Sequence, residues 1–172
     1  AQELPPASCE TQSNLNEARS YQVTLPTHDG EVVSFQVLEP ASFDCANRAN
    51  GAHPLMLQGP GFGGGRTTSR TSAALSPYLE AGYAVISWDP RGFGDTTGSV
   101  RVMDPEFEGR YFRQILDWAE QNLDYLAWRD EASGEFVPRP ADATSVAGGA
   151  NLVVGAQGGS YGGGYQLMLL AV

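Results

Sequence analysis

Gly155-Ala156-Gln157-Gly158-Gly159-Ser160-Tyr161-Gly162-Gly163-Gly164 is the stretch whose reading decides the fold. It lies between an apolar run at 151–154 and a helix-like run at 165–172. Within it, Gly158-Gly159-Ser160-Tyr161-Gly162 fits G-x-S-x-G, the pattern in which a strand turns sharply into a helix and lifts a serine hydroxyl clear of the sheet. The glycines around the serine let two backbones pass closely. In a chain with 21 glycines, a serine in a glycine-rich loop is the blander description. That description leaves unexplained why strand, bend and helix follow in the order the motif demands.

Working outward, residues 54–57 are an apolar run without polar alternation, as expected of a strand buried on both faces. They lead into Gln58-Gly59-Pro60-Gly61-Phe62-Gly63-Gly64-Gly65. Residues 71–81 read as a helix with Leu75, Tyr78 and Leu79 on its apolar face. Pro77 kinks it or opens its last turn, and Gly82 ends it. Residues 83–88 form the next buried strand, followed by the turn Asp89-Pro90-Arg91-Gly92-Phe93-Gly94. Asp104 as N-cap and Pro105 at the first helical position announce a helix whose Phe112, Ile115, Leu116, Ala119 and Leu123 repeat at helical spacing. Residues 128–150, with Pro138 and Pro140, read as a long surface connection. Nearer the start, Tyr21, Val23, Leu25 and then Val33, Phe35, Val37 alternate with polar residues around His28-Asp29-Gly30-Glu31, which predicts an antiparallel hairpin. Residues 1–18 are a polar arm, and 19–172 read as part of one domain. A hairpin followed by alternating strands and helices implies an α/β sheet, parallel in its later part.

The 172 residues, 41% of them apolar, are enough for one core. The formal charge is −10 and all ten basic residues are arginines, so nucleic acid and anionic membranes are repelled. The apolar run at 167–172 is far short of the ~20 residues that cross a bilayer. Cys9 and Cys45 lack neighbours at metal-ligand spacing, and a disulfide tying the arm to the exit of the second strand is expected. No metal or cofactor is implied. A start at Ala1-Gln2 suits a mature protein after signal-peptide removal, secreted or periplasmic.

A serine hydroxyl becomes a useful nucleophile only with a base to take its proton and fixed donors to meet the developing oxyanion. Ser160 is the candidate nucleophile, and the backbone N–H of Tyr161 is one expected donor. Pro60 has no N–H, so the second donor is expected at Phe62, with Gly61 behind it. The acid and then the histidine follow the serine in folds of this kind. Here His28 lies in a hairpin turn and His53 precedes a strand at the edge opposite the site. Both missing groups are therefore expected from beyond Val172, on a continuation or a second chain. Asp89 and Arg91 read as a structural knot beside the site, and Gly158 and Gly162 as the elbow's close-approach positions.

The succession of Gly61-Phe62-Gly63-Gly64, then Gly82-Tyr83-Ala84-Val85 leading to Asp89-Pro90-Arg91-Gly92-Phe93-Gly94, then Gly158-Gly159-Ser160-Tyr161-Gly162-Gly163 resembles the α/β-hydrolases of the X-prolyl dipeptidyl peptidase and cocaine esterase group. The resemblance covers about residues 20–172. It implies a serine hydrolase acting on small esters or prolyl peptides, with Ser160 as nucleophile and Tyr161 and Phe62 as oxyanion donors. Where that group carries an oxyanion-hole tyrosine near Phe62, this chain has none, which favours main-chain donation. The group continues for hundreds of residues with a cap, an acid and a histidine, so this chain looks like its amino-terminal portion.

A rival reading uses Gly59-Pro60-Gly61-Phe62-Gly63-Gly64 as G-x-G-x-x-G and Asp89 as the ribose-binding acid of a dinucleotide-binding oxidoreductase. It accounts for one glycine cluster and the hydrolase reading for both. Pro60 also stands in the phosphate-facing turn, and residues 66–70 separate the last glycine from the helix. A non-catalytic module keeping the fold is a third reading, weakened because the strand before the elbow would lack a neighbour on one side.

Overall fold

The computed structural model describes residues 20–41, 51–140 and 150–170. The hairpin forms as β1 (Ser20–Pro26) and β2 (Val32–Leu38), with Val23 opposite Phe35. Next come β3 (Leu55–Gln58), α1 (Ser76–Glu80), β4 (Ala84–Trp88), a π-helical turn at Pro105–Gly109 and α2 (Arg110–Asn122). Three short strands, β5 (Trp128–Asp130), β6 (Phe136–Val137) and β7 (Ala150–Leu152), precede β8 (Val154–Gln157) and α3 (Tyr161–Leu169). The five-stranded sheet has the order β1-β2-β4-β3-β8. β4 runs antiparallel to β2, and β3 is parallel to both β4 and β8.

The central strands read as unbroken apolar runs because helices cover both faces. Leu55, Leu57, Ile86 and Trp88 share one core with Phe112, Ile115, Trp118 and Tyr165. Met56 and Val85 point the other way, into a smaller core with Leu38, Leu75 and Leu79. Each large side chain buried in this way contributes roughly 1.5–3 kcal/mol. No helix among the described residues is long and apolar enough to cross a membrane.

Five local expectations change. The helix expected over 71–81 is reduced to α1: Leu75 and Ser76 donate to Ser72 O in a preceding turn, and Pro77 sits in the first turn because it has no N–H to lose there. Asp104 does cap the next helix, its Oδ1 accepting from Glu106 N at 2.9 Å, but the first turn is wide, with Gly109 N donating to Asp104 O at 3.2 Å. Part of the expected surface connection at 128–150 forms a second sheet of order β6-β5-β7, with Trp128 buried. The strand expected at 151–154 belongs half to that sheet and half to the main one. Val153 is the crossing point, donating to Ala127 O and accepting from Leu55 N, both at 2.9 Å.

The fifth change is in α3, which begins at Tyr161 and runs through Gly162, Gly163 and Gly164. Three glycines in a first turn contradict intrinsic propensity. Close packing against backbone explains one of them: a Cβ on Gly162 would stand 2.3 Å from Gly59 O, whereas one on Gly164 would meet only the thioether end of Met103, 2.4 Å from its Sδ.

The turn between β1 and β2 is tied to the turn after β4. Arg91 Nη1 lies 2.7 Å from Asp29 Oδ2, and its Nε donates to Ser99 O at 2.8 Å. Burial alone would raise the Asp29 carboxyl. The hydrogen bonds from Thr27 and Arg91 and the guanidinium charge outweigh it and hold the carboxyl below its usual range.

Two outcomes follow from this packing. Gly162→Ala forces α3 off a backbone carbonyl and is expected to lower stability by about 3 kcal/mol, the upper end for overpacking, as read by urea unfolding. Because the folded Asp29 carboxyl is more acidic than the unfolded one, its contribution is present above about pH 4 and fades as pH falls through the folded value. Asp29→Asn is expected to cost about 1 kcal/mol at pH 7 and nothing near pH 2, seen as converging melting temperatures.

Candidate functional site

The strand β8 ends at Gln157, and two glycines later the chain reverses at Ser160 with φ 54° and ψ −120°. A non-glycine residue there carries strain of about 1–3 kcal/mol, which persists only where the surroundings over-determine it. They do. Gly162 N donates to Gly159 O at 3.0 Å, and Gly163 N and Gly164 N donate to Ser160 O at 3.0 and 3.1 Å. Gly158 and Gly162 leave no room for a Cβ, each packing against Gly59 backbone. Ser160 occupies the N-cap position, where a serine oxygen ordinarily accepts a hydrogen bond from a backbone N–H of its own helix's first turn. Here no side-chain capping bond forms, and Ser160 is exposed.

Parallel pairing of Gln58 with Gln157 brings the loops after β3 and β8 out side by side. In the first loop Gly64 N donates to Gly61 O at 3.0 Å across Phe62 and Gly63, with Gly63 at φ +80°. That is a type II turn with glycine at its obligatory left-handed corner. Phe62, at the first corner, is 64% exposed, and its ring stands 5.3 Å from that of Tyr161 and 5.1 Å from that of Phe93. Tyr161 N–H, at the first position of α3, has no intrahelical acceptor. The site therefore gathers a serine hydroxyl free of its helix, the positive end of that helix and a glycine turn beside both.

Asp89 is buried and fully engaged. Its carboxylate accepts from Arg66 N at 2.7 Å, from the Arg66 guanidinium and from Asp95 N at 3.0 Å. It locks the loop after β3 to the turn after β4 and offers nothing to a ribose. The first described helix beyond Gly64 is α1, so the two supports of a dinucleotide site are both missing. Arg91 is buried against Asp29, Tyr111 and Phe107. Asp89 and Arg91, read together as one knot, are instead engaged separately, Asp89 with Arg66 and Asp95 N and Arg91 with Asp29 and Ser99 O. His53 Nδ1 lies 2.8 Å from Gly82 O at the amino end of the sheet, and His28 is exposed in the β1–β2 turn. Cys9 and Cys45, and the arm at 1–18, lie outside the described residues.

Sequence reasoning passed over Glu108, which is 2% exposed beneath the elbow. Its Oε1 accepts from Arg101 N at 3.3 Å, its Oε2 from Met103 N, and the Tyr161 hydroxyl stands 3.4 and 3.5 Å from the two oxygens. A signal existed, because Glu108 precedes Phe112, Ile115 and Ala119 at helical spacing and so places a carboxylate on an apolar stripe. Burial pushes the phenols of Tyr161 and Tyr165 upward, helped in each case by the charge of Glu108, so both hydroxyls stay protonated at neutral pH.

Comparison with known proteins agrees with this architecture. A 69-residue segment, 40% of this chain, is 33% identical to 24% of an uncharacterized 31.7 kDa protein of the traX-finO intergenic region of Escherichia coli. The α/β hydrolase GrgF from Penicillium sp. sh18 superposes with TM-score 0.55 at 18% identity, covering 89% of this chain and 42% of that one. XC6422 from Xanthomonas campestris, described as an a/b serine hydrolase without lid, superposes with TM-score 0.52 at 15% identity, over 91% of this chain and 58% of that one. The chain thus spans about a quarter of the curated relative and roughly half of each solved neighbour. The fold is that of the α/β-hydrolases, and a family model matches residues 29–172. On that match the chain belongs to the X-Pro dipeptidyl-peptidase (S15) family.

Proposed function

We propose that this chain carries the nucleophile and oxyanion site of a serine hydrolase that cleaves small carboxylic esters or acyl-peptides. The supporting observation is Ser160, a serine at an N-cap that caps nothing, held in a strained bend beside the Phe62 turn. In the proposed reaction a histidine from beyond residue 172, oriented by an acid, takes the proton from Ser160 Oγ as that oxygen bonds to the substrate carbonyl carbon. The carbonyl oxygen becomes an oxyanion between the N–H groups of Tyr161 and Phe62. Collapse expels the alcohol or amine, which leaves with the proton held by the histidine, and water then releases the acid from Ser160. Each backbone donor is worth roughly 3 kcal/mol of barrier by the magnitude found when one is removed.

The proposed partner is the rest of the same domain. Along β8 the sheet has a free edge among the described residues, with Val154 39% exposed, and Leu167 and Leu170 of the following helix region 73% and 86% exposed. Apolar surface beside an unpaired edge is what further strands and helices of a hydrolase sheet would cover. The proposed compartment is extracytoplasmic, with Cys9 and Cys45 paired, and no cofactor takes part.

In the full-length protein, a fluorophosphonate probe is expected to label Ser160. Ser160→Ala is expected to lower kcat on p-nitrophenyl acetate by at least about a thousandfold with unchanged melting temperature. Retained activity in that variant would remove the proposal. Iodoacetamide added before reductant is expected to leave Cys9 and Cys45 unmodified by mass, and modification of both would exclude the pairing.

A further inference from the structure

A carboxylate on the apolar stripe of a helix is costly to bury unless it is thoroughly solvated by donors. At Glu108 the protein makes an unusual provision. The loop before the helix presents the N–H groups of Arg101 and Met103, and to do so Val102 and Met103 take φ of 55° and 64°. Together with Ser160 these are the only positive-φ residues other than glycine among the described residues. Consecutive left-handed residues, one of them β-branched, are disfavoured sterically. The wide π turn at Pro105–Gly109 adds to this by swinging Glu108 inward from the Asp104 cap. Three separate departures from regular backbone, at 102, 103 and 105–109, serve one carboxylate.

What that carboxylate reaches is the first turn of α3. The Tyr161 hydroxyl straddles its two oxygens at 3.4 and 3.5 Å, long contacts in which a buried negative charge still orients the hydroxyl dipole. Met103, whose N–H the same carboxylate holds, lays its thioether where a Cβ of Gly164 would stand. The clasp therefore grips α3 at Tyr161 and again at Gly164, on either side of the bonds that Gly163 and Gly164 make to Ser160 O. Tyr161 is the residue whose backbone N–H the proposed function assigns to the oxyanion.

We propose that Glu108 is a positioning residue that acts through the Tyr161 hydroxyl to fix the elbow, so that the Tyr161 N–H meets the oxyanion at the right place. This inference rests on Ser160 being the nucleophile. A misplacement of the order of 1 Å at a reacting group costs up to about a hundredfold in rate. The effect belongs to kcat, because the oxyanion exists only in the transition state.

The test uses Tyr161→Phe, Glu108→Gln and the double variant in the full-length protein, assayed on p-nitrophenyl acetate alongside thermal melting. Tyr161→Phe keeps the ring against Phe62 and removes only the hydroxyl. It is expected to lower kcat about ten- to a hundredfold and to leave KM within about threefold. Glu108→Gln is expected to do the same, and the double variant to be no worse than the poorer single one, since both break one connection. Tyr161→Phe with kcat within about twofold of the parent overturns the proposal, as do single effects that multiply in the double variant. If Glu108→Gln does not fold, the Tyr161→Phe result decides alone. Ser160→Ala separates the two readings: full activity there defeats the nucleophile assignment, whereas its loss beside an unimpaired Tyr161→Phe defeats only the role of Glu108.

Discussion

The contact on which the rest depends is one of backbone with backbone, where the end of β3 meets the start of α3. Gly59, Gly158 and Gly162 converge so closely that a methyl group on any of them would overlap main chain or the Trp88 ring. This approach sets the elbow directly over the loop after β3, which no side-chain contact could do at such short range. Parallel pairing of β3 with β8 then keeps the two loops in register. The cost is conformational, because each glycine gives up more freedom on folding than any other residue and three of them weaken the first turn of a helix. Packing of Tyr161, Tyr165 and Met168 into the main core offsets it.

Around that contact, three buried carboxylate or guanidinium groups are held by partners on neighbouring loops. Asp89 draws the loop after β3 to the turn after β4 through Arg66, Arg91 joins that turn to the hairpin through Asp29, and Glu108 joins the loop at 101–103 to α3. None of these needs to contribute much net stability, since burying an ion pair costs about what it returns. Their effect is geometrical. Each loop near Ser160 is tied to a rigid element by a group that would be left uncompensated if the loop moved.

The hairpin, the buried strands at 54–57 and 83–88 and the helix carrying Phe112 and Ile115 are legible in the sequence because their signals are periodic and local. So is the bend at Ser160, since glycine on both sides of a serine has few other uses. Less legible is where α3 begins: Gly162-Gly163-Gly164 reads as loop until one sees that Gly59 O occupies the space a side chain at Gly162 would need. The small sheet around Trp128 escapes for a different reason, as strands of two and three residues have too few positions to show a period. Glu108 is the instructive omission. A charged residue in register with an apolar stripe was visible, but its partners are main-chain N–H groups of a strained loop, which no residue pattern announces.

The cations in these ties are arginines, and that choice makes the architecture asymmetric towards protons. Burial works against the Arg66 charge, but the hydrogen bonds and charges of Asp95 and Asp89 more than restore it. A guanidinium does not shed its proton at any alkalinity a protein meets, whereas a lysine in the same place would begin to do so near pH 10. The cationic ends of these ties thus keep their charge as pH rises, and acid reaches them only through carboxylates such as Asp29 and Asp95, which are themselves held below their usual range.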